Sequence, residues 1–245
     1  GITGGLLVGT IISLLIEAYT LYEARLKITR SMFSWAHVRS HMRVAIPRSL
    51  STVVSRVREL VYAAIATTLG VGALSVYLFA QRIIDAFIQV VAQSTATATL
   101  PLLARKHADG EHTDYAKILK TNLIAIFAVS VVAAGIIIFF KDTLVHILYG
   151  NTERANEIAR MARYLAFSLP LYAVSVYFVS AFSAARDTMG LFYTNLLATV
   201  IGIVALLVGR HLNQGLFSLV YASWAMNISY LLFLITFYSR KKFTA

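Results

Sequence analysis

The chain has 245 residues, 58% of them hydrophobic and only 13% charged, with a mean hydropathy of +0.72. This excludes an ordinary soluble domain and points to an integral membrane protein. Lys and Arg number 22 against 11 Asp and Glu, a net charge of +11, but the basic residues sit in short segments between apolar runs and leave no folded soluble face for nucleic acid. Without cysteine the chain has no disulfide, no thiolate metal site and no cysteine nucleophile.

Crossing about 30 Å of hydrocarbon takes about 20 apolar residues, and windows of that length predict about seven spans. They fall near 2–22, 48–69, 73–102, 118–140, 160–184, 189–209 and 214–238. The chain opens GITGGLLVGTII and its first methionine is Met32, beyond the first span, so it reads as an internal piece of a longer polytopic protein and not as a signal peptide. Residues 23–46, rich in arginine and carrying Phe33 and Trp35, read as a basic amphipathic connector lying on anionic membrane lipids. His37 and His41 belong to this connector; their i, i+4 spacing has no accompanying carboxylate, so no metal site is expected. Pro47 suits a helix start, Pro101 a helix end and Pro170 a kink within the fifth span. GVG at 70–72 reads as a turn between spans, and residues 141–163 as the one sizeable loop on their side.

Orientation follows from the basic residues between spans. One side collects Arg25, Lys27, Arg30, Arg39, Arg43, Arg48, Arg105, Lys106, Lys117, Lys120, Arg186, Arg240, Lys241 and Lys242; the other has Lys141, Arg154, Arg160, Arg163 and Arg210. The richer side is expected in the cytoplasm, which puts residue 1 outside and the C-terminus inside.

Three arginines remain inside spans, Arg56, Arg58 and Arg82, with three acids, Glu17, Glu59 and Asp85. An arginine at a helix centre costs about 2.5–3.5 kcal/mol on insertion scales, so each should face protein or a watered cavity. Arg56 with Glu59, and Arg82 with Asp85, are i, i+3 pairs on one helical face. Arg58 stands about 200° round the helix from Arg56 and must look to another helix or to Glu17. Arg82 lies ten residues past Gly72, about 15 Å along a helix and close to the midplane. Gln81, Asp85 and Gln89 then form a polar stripe at i, i+4, i+8, followed by Gln93, Ser94, Thr95, Thr97 and Thr99. Ion pairs that lock helices together and a wetted binding cavity both fit these residues.

Four stretches carry a family resemblance: IPRSLSTVV from Ile46, ATTLGVGALSVYLFAQR ending at Arg82, TATATLPLLARKHADGEHTDY from Thr95, and FSAARDTMG from Phe182. Over roughly residues 45–205 they resemble MurJ/MviN-type lipid II flippases of the MOP superfamily, whose members typically read LGxGxVSxLxYAxR, then LPxLSRxxAxGDxxxF, then AFYAxxDTxTP.

The resemblance implies an all-α polytopic membrane protein. Residues 1–22 would be the last transmembrane helix of a first lobe, 23–46 the cytoplasmic connector and 47–245 a six-helix second lobe. It implies a multi-pass protein of the bacterial cytoplasmic membrane that moves a lipid-linked diphosphate sugar by alternating access, with the first-lobe helices of the same protein and a coupling ion as further partners. Neither a cofactor nor catalysis is implied. Arg82 matches the family's cavity arginine and would meet the diphosphate, for which its fork is suited. Asp85 would orient the ligand or compete with it, and Gln81, Gln89, Arg56, Arg58 and Glu59 complete the candidate site. The chain departs from the family where a proline usually follows the cavity arginine; Ala86, Phe87 and Ile88 stand there, which puts the usual bend in doubt. A MATE-like cation antiporter of the same superfamily would depend instead on Asp85 or Glu59 taking up protons and cations.

Overall fold

The computed structural model describes residues 35–150, 153–185 and 187–242 and divides the chain into two compact units, Gly1–Arg43 and Val44–Ala245. The span predicted at 2–22, Glu17 and most of the connector lie outside the described residues. The remainder is helical: α1 Trp35–Thr68, α2 Ala73–Ile88, a single π-turn Gln89–Gln93, α3 Ser94–Ala108, α4 His112–Tyr149, α5 Ala155–Ala166, α6 Leu169–Ala184, α7 Thr188–His211 and α8 Phe217–Lys242.

Four stretches are long and apolar enough to cross a membrane: Ala73–Ala108, His112–Tyr149, Thr188–His211 and Phe217–Ser239. The bent pair α5 and α6, at 57°, makes a fifth. The break between them falls at Phe167 and Ser168, with Pro170 at the start of α6, where its missing N–H costs no helical bond. The span predicted at 48–69 lies within α1. It is not among the apolar stretches because Arg48, Arg56, Arg58 and Glu59 interrupt it.

Three boundaries differ from the sequence reading. Pro47 lies inside α1 and Pro101 inside α3, and neither starts or ends a helix. Membrane helices tolerate such prolines when Ser and Thr side chains take up backbone carbonyls. Ahead of Pro101, the hydroxyls of Ser94, Thr95, Thr97 and Thr99 bond back to the carbonyls of Val90, Val91, Gln93 and Thr95, while the carbonyl that Pro101 leaves without its helical donor is that of Thr97. The predicted loop at 141–163 is mostly helix: α4 kinks at Phe140, with φ −107° and ψ 20°, and runs on to Tyr149 before α5 begins at Ala155. GVG does form the turn between α1 and α2, with Gly70 and Gly72 at positive φ, a conformation glycine adopts without a Cβ clash.

The core of the Val44–Ala245 unit is built mostly from small and aliphatic side chains on α1 to α8, with the rings of Tyr62, Tyr177, Phe178 and Phe182 among them, and its buried polar groups tie helices together. The Tyr177 hydroxyl of α6 accepts from Asn122 Nδ2 of α4 at 2.8 Å and lies 3.1 Å from Thr99 Oγ1 of α3. Asn195 Nδ2 of α7 donates to the Ser51 carbonyl at 2.9 Å and to Ser55 Oγ at 3.2 Å, fastening α1 to α7. α7 and α8 approach closely because a Cβ on Gly209 would stand 2.9 Å from Ser218 Cβ, and one on Gly202 3.0 Å from Met226 Cβ.

The π-turn positions the polar stripe. At about 100° per residue, side chains spaced four apart drift by about 40° per step, so Gln81 and Thr97 would stand about 160° apart on an unbroken α-helix. The extra residue taken into the turn removes about 100° of that drift. Gln81, Asp85, Gln89, Gln93 and Thr97 therefore line adjoining clefts. The irregularity the family places at a proline sits here at Gln89–Gln93, one turn later and without one.

Candidate functional site

A cleft of about 700 Å³ opens on the lobe formed by residues 44–245, walled by α1, α2, α6 and α8. Six of the predicted site residues line it: Arg56, Arg58, Glu59, Gln81, Arg82 and Asp85. The seventh, Gln89, lies in an adjoining cleft of about 880 Å³ that shares Asp85 and Tyr172 with the first.

The two predicted pairs come out differently. Arg56 Nη1 donates to Glu59 Oε2 at 2.7 Å, and both side chains are more than half exposed. Arg82 and Asp85 do not pair: among the described residues no carboxylate lies within salt-bridge distance of Arg82. Gln81 takes the acid instead, its Nε2 donating to Asp85 Oδ1 at 3.1 Å. Arg82 is exposed on the cleft wall with its guanidinium carbon 5.8 Å from the Phe79 ring centre, a cation–π contact. The Phe79 ring packs in turn on Tyr149, centroids 4.7 Å apart, and the Tyr149 hydroxyl donates to the Phe79 carbonyl at 3.1 Å. An aromatic shelf thus lies against the guanidinium, whose five donors make no hydrogen bond to the described residues.

Arg58 looks across to α8, where its Nη1 lies 3.0 Å from Met226 Sδ. The sequence reading anticipated the direction of this contact and missed its chemistry, because a thioether is a weak acceptor and no counter-charge. Arg58 sits within electrostatic range of Asp85 and of Tyr62, Tyr77, Tyr172 and Tyr230.

Tyr62, Tyr77, Tyr172, Ser168, Ser223, Met226 and Asn227 also line this cleft and were not anticipated. Two of them carry buried polar atoms without a partner, the Tyr62 hydroxyl and Asn227 Oδ1. Such an atom costs about 1–3 kcal/mol, so a native structure keeps it for a reason. The available signal was an asparagine in an otherwise apolar span, WAMNISY from Trp224.

Chemically the cleft offers cationic and neutral donors. One carboxylate is neutralised by Arg56, the other is bonded by Gln81, and Arg58 and Arg82 are both without a counter-ion among the described residues. Such a surface attracts an anion.

A family model for the lipid II flippase MurJ matches residues 1–244. The lipid II flippase MurJ of Burkholderia cenocepacia is 27% identical over 123 residues, a match covering 49% of this chain and 24% of that protein. Among solved structures, MATE in the straight conformation superposes with a TM-score of 0.81 at 17% identity, over 97% of this chain and 55% of that one. A MOP superfamily transporter from Pyrococcus furiosus, described as having a binding pocket of reverse polarity, gives a TM-score of 0.68 at 17% identity, over 80% and 42%. At these identities the structural likeness shows the fold, that of MOP superfamily transporters, and the chain spans only part of the length of each of these proteins.

Proposed function

The chain belongs to the lipid II flippase MurJ family, and on that premise we propose that its parent protein moves a lipid-linked diphosphate sugar, lipid II of peptidoglycan synthesis, across the bacterial inner membrane by alternating access. Residues 47–245 would form its second lobe, 1–22 the last helix of the first and 23–46 a connector on the cytoplasmic leaflet. Residue 1 would then start outside, with the C-terminus inside. The observation that carries the reading is Arg82: an arginine within a long apolar stretch, exposed to the cleft, held on an aromatic shelf and free of any carboxylate among the described residues.

A diphosphate entering the cleft would exchange water for the Arg82 fork, which can bond two phosphate oxygens at once. Asp85, held by Gln81, would set a negative wall one turn away, so the anion is bound without being trapped. Weak retention matters to a flippase, because a ligand held equally tightly at both faces of the membrane leaves slowly. A cation antiporter is not favoured: it needs an acid free to exchange protons and cations, and Glu59 is paired with Arg56 while Asp85 faces Gln81 in a cleft with Arg58.

The test uses the full-length protein in cells depleted of their own lipid II flippase, comparing the natural sequence with Arg82→Ala and Asp85→Asn at equal membrane abundance. The natural form should restore growth and outward exposure of lipid II, and Arg82→Ala should not. Rescue by Arg82→Ala at the natural level would make the arginine a structural residue. No rescue by the natural form would assign the protein another substrate.

A further inference from the structure

Helix α5 has two faces. Ile158, Ala162 and Leu165 are buried, with Leu165 in the wall of the central cleft, while Asn156, Arg160 and Arg163 follow one another at i, i+4, i+7 on the exposed side. That exposed stripe lines a separate cleft of about 570 Å³, closed by Lys141 and Asp142 of α4, just past its kink, and by Phe217 at the start of α8. Its charge is one-sided. Lys141 is paired with Asp142, and the one acid of α5, Glu157, faces Arg154 at 3.9 Å. Among the described residues no carboxylate lies within salt-bridge distance of Arg160 or Arg163, and the two stand one turn apart, where like charges repel.

The cleft also has a definite depth. α5 and α8 both run from this end of the lobe toward its middle, and aromatic residues follow the cleft along each of them. Tyr164 packs edge-on against Phe217, ring centres 5.1 Å apart. Further in, Phe167 packs edge-on against Trp224 at 6.2 Å, and Trp224 against Tyr221 at 6.1 Å. The Trp224 indole N–H donates to the Tyr164 carbonyl at 3.0 Å, which ties this band to α5. On α4, Phe139 and Phe140, 84% and 58% exposed, come immediately before Lys141. Cations thus stand directly above a band of exposed and half-buried rings. That is the layering of a membrane surface, where amphipathic rings sit at the level of the head groups and basic side chains reach phosphates. A soluble anion would use the charges and leave the rings idle. A phospholipid uses both, its phosphodiester on the two guanidinium forks and the upper part of its chains against Phe167, Tyr221 and Trp224.

We propose that Arg160 and Arg163, with Lys141 and Asn156 beside them, form a binding site for the head group of an anionic phospholipid in the leaflet at this end of the lobe, the outer one in the orientation given above. The site is separate from the central cleft and does not depend on what that cleft carries. A lipid seated there bridges α4, α5 and α8 and supplies the counter-charge that the two arginines lack among the described residues.

The experiment titrates the full-length protein in neutral detergent with phosphatidylglycerol and, separately, with phosphatidylcholine of the same acyl chains. The natural protein should prefer phosphatidylglycerol by about tenfold or more, as two unmatched arginines beside a head group give. Replacing both, Arg160→Gln with Arg163→Gln, should reduce the preference to about twofold or less, and each single change should remove part of it. Both positions are exposed, so the variants should fold, which their thermal midpoints check; if the double variant does not fold, the single ones decide. Arg210→Gln removes an exposed arginine at the same end of the lobe but outside the cleft, and should leave the preference within about twofold of its natural value. Glycerol phosphate, the head group without chains, should displace the lipid only at about a hundredfold higher concentration or more. The site is refuted if the two lipids bind alike, or if the arginine pair can be replaced without changing the preference. It is refuted equally if Arg210→Gln or Arg82→Gln lowers the preference as far as the pair does, which would make the attraction diffuse or put the lipid in the central cleft. Displacement by glycerol phosphate at the lipid's own concentration would overturn the lipid assignment in favour of a soluble phosphate ester.

Discussion

Arg56 with Glu59 and Arg82 with Asp85 have the same spacing, the same residue types and the same cleft, yet the first pair closes at 2.7 Å and the second stays open. The difference lies in the neighbours. On α1 nothing competes for Glu59, and the i, i+3 geometry is realised. On α2, Gln81 sits one turn before Asp85 and takes its Oδ1, while Phe79, one turn before Arg82, offers the guanidinium a ring face. Helical spacing permits an ion pair; a better-placed hydrogen bond and a cation–π contact prevent it. A closed pair is neutral and spent, whereas an open one leaves a cation available to a ligand.

The comparison can be broken most severely at Arg82. Hydrogen bonds to charged groups contribute about 1.5–3 kcal/mol, so Arg82→Ala should lower affinity for a polyprenyl diphosphate by about 10- to 100-fold, read by titration of the full-length protein. It can be sharpened by making the open pair close. Gln81→Leu releases Asp85 toward Arg82, and affinity for the same probe should fall by about three- to tenfold; adding Asp85→Asn should restore it. Were the double variant no better than Gln81→Leu, competition by Gln81 would not be what keeps the arginine free. Phe79→Leu removes the shelf. An exposed cation–π contact is worth about 0.5–1 kcal/mol, so about a two- to fivefold loss is expected, with the thermal midpoint little changed. Arg56→Ala should do least, less than about twofold on binding, since exposed ion pairs contribute about 0–1 kcal/mol and this cation is already matched. An effect as large as that of Arg82→Ala would mean that Arg56 leaves Glu59 for the ligand.

Much of this was legible in the sequence. Apolar run lengths located the long helices, GVG marked the α1–α2 turn, and charges inside spans pointed to one cleft, because a buried charge in a membrane must face something polar. Helix ends were less legible. Pro47 and Pro101 look like boundaries in one dimension, but α1 and α3 run through them, and kinked α4 runs on where hydropathy had already dropped. The pairing of Arg82 could not be read from spacing, because Gln81 and Phe79, each within about one turn, compete for the two charges. The far walls of the cleft were illegible for another reason: Tyr172, Met226 and Asn227 reach it from helices more than a hundred residues away from Arg58 in the chain, and tyrosine and asparagine in a span carry no charge to flag them.

The π-turn at Gln89–Gln93 makes helix length a determinant of the cleft, alongside composition. The segments before and after it are set in phase by a single surplus residue. Winding all five residues as ordinary α-helix would swing everything from Ser94 onward by about 100° and carry Thr97 away from the side that Gln81 and Asp85 occupy, whereas deleting one of the five would remove the surplus residue and keep the phase. In the first case the cleft-facing side of α3 would turn by more than a quarter of a circle while the composition of the segment stayed the same. For this helix, counting residues matters as much as naming them.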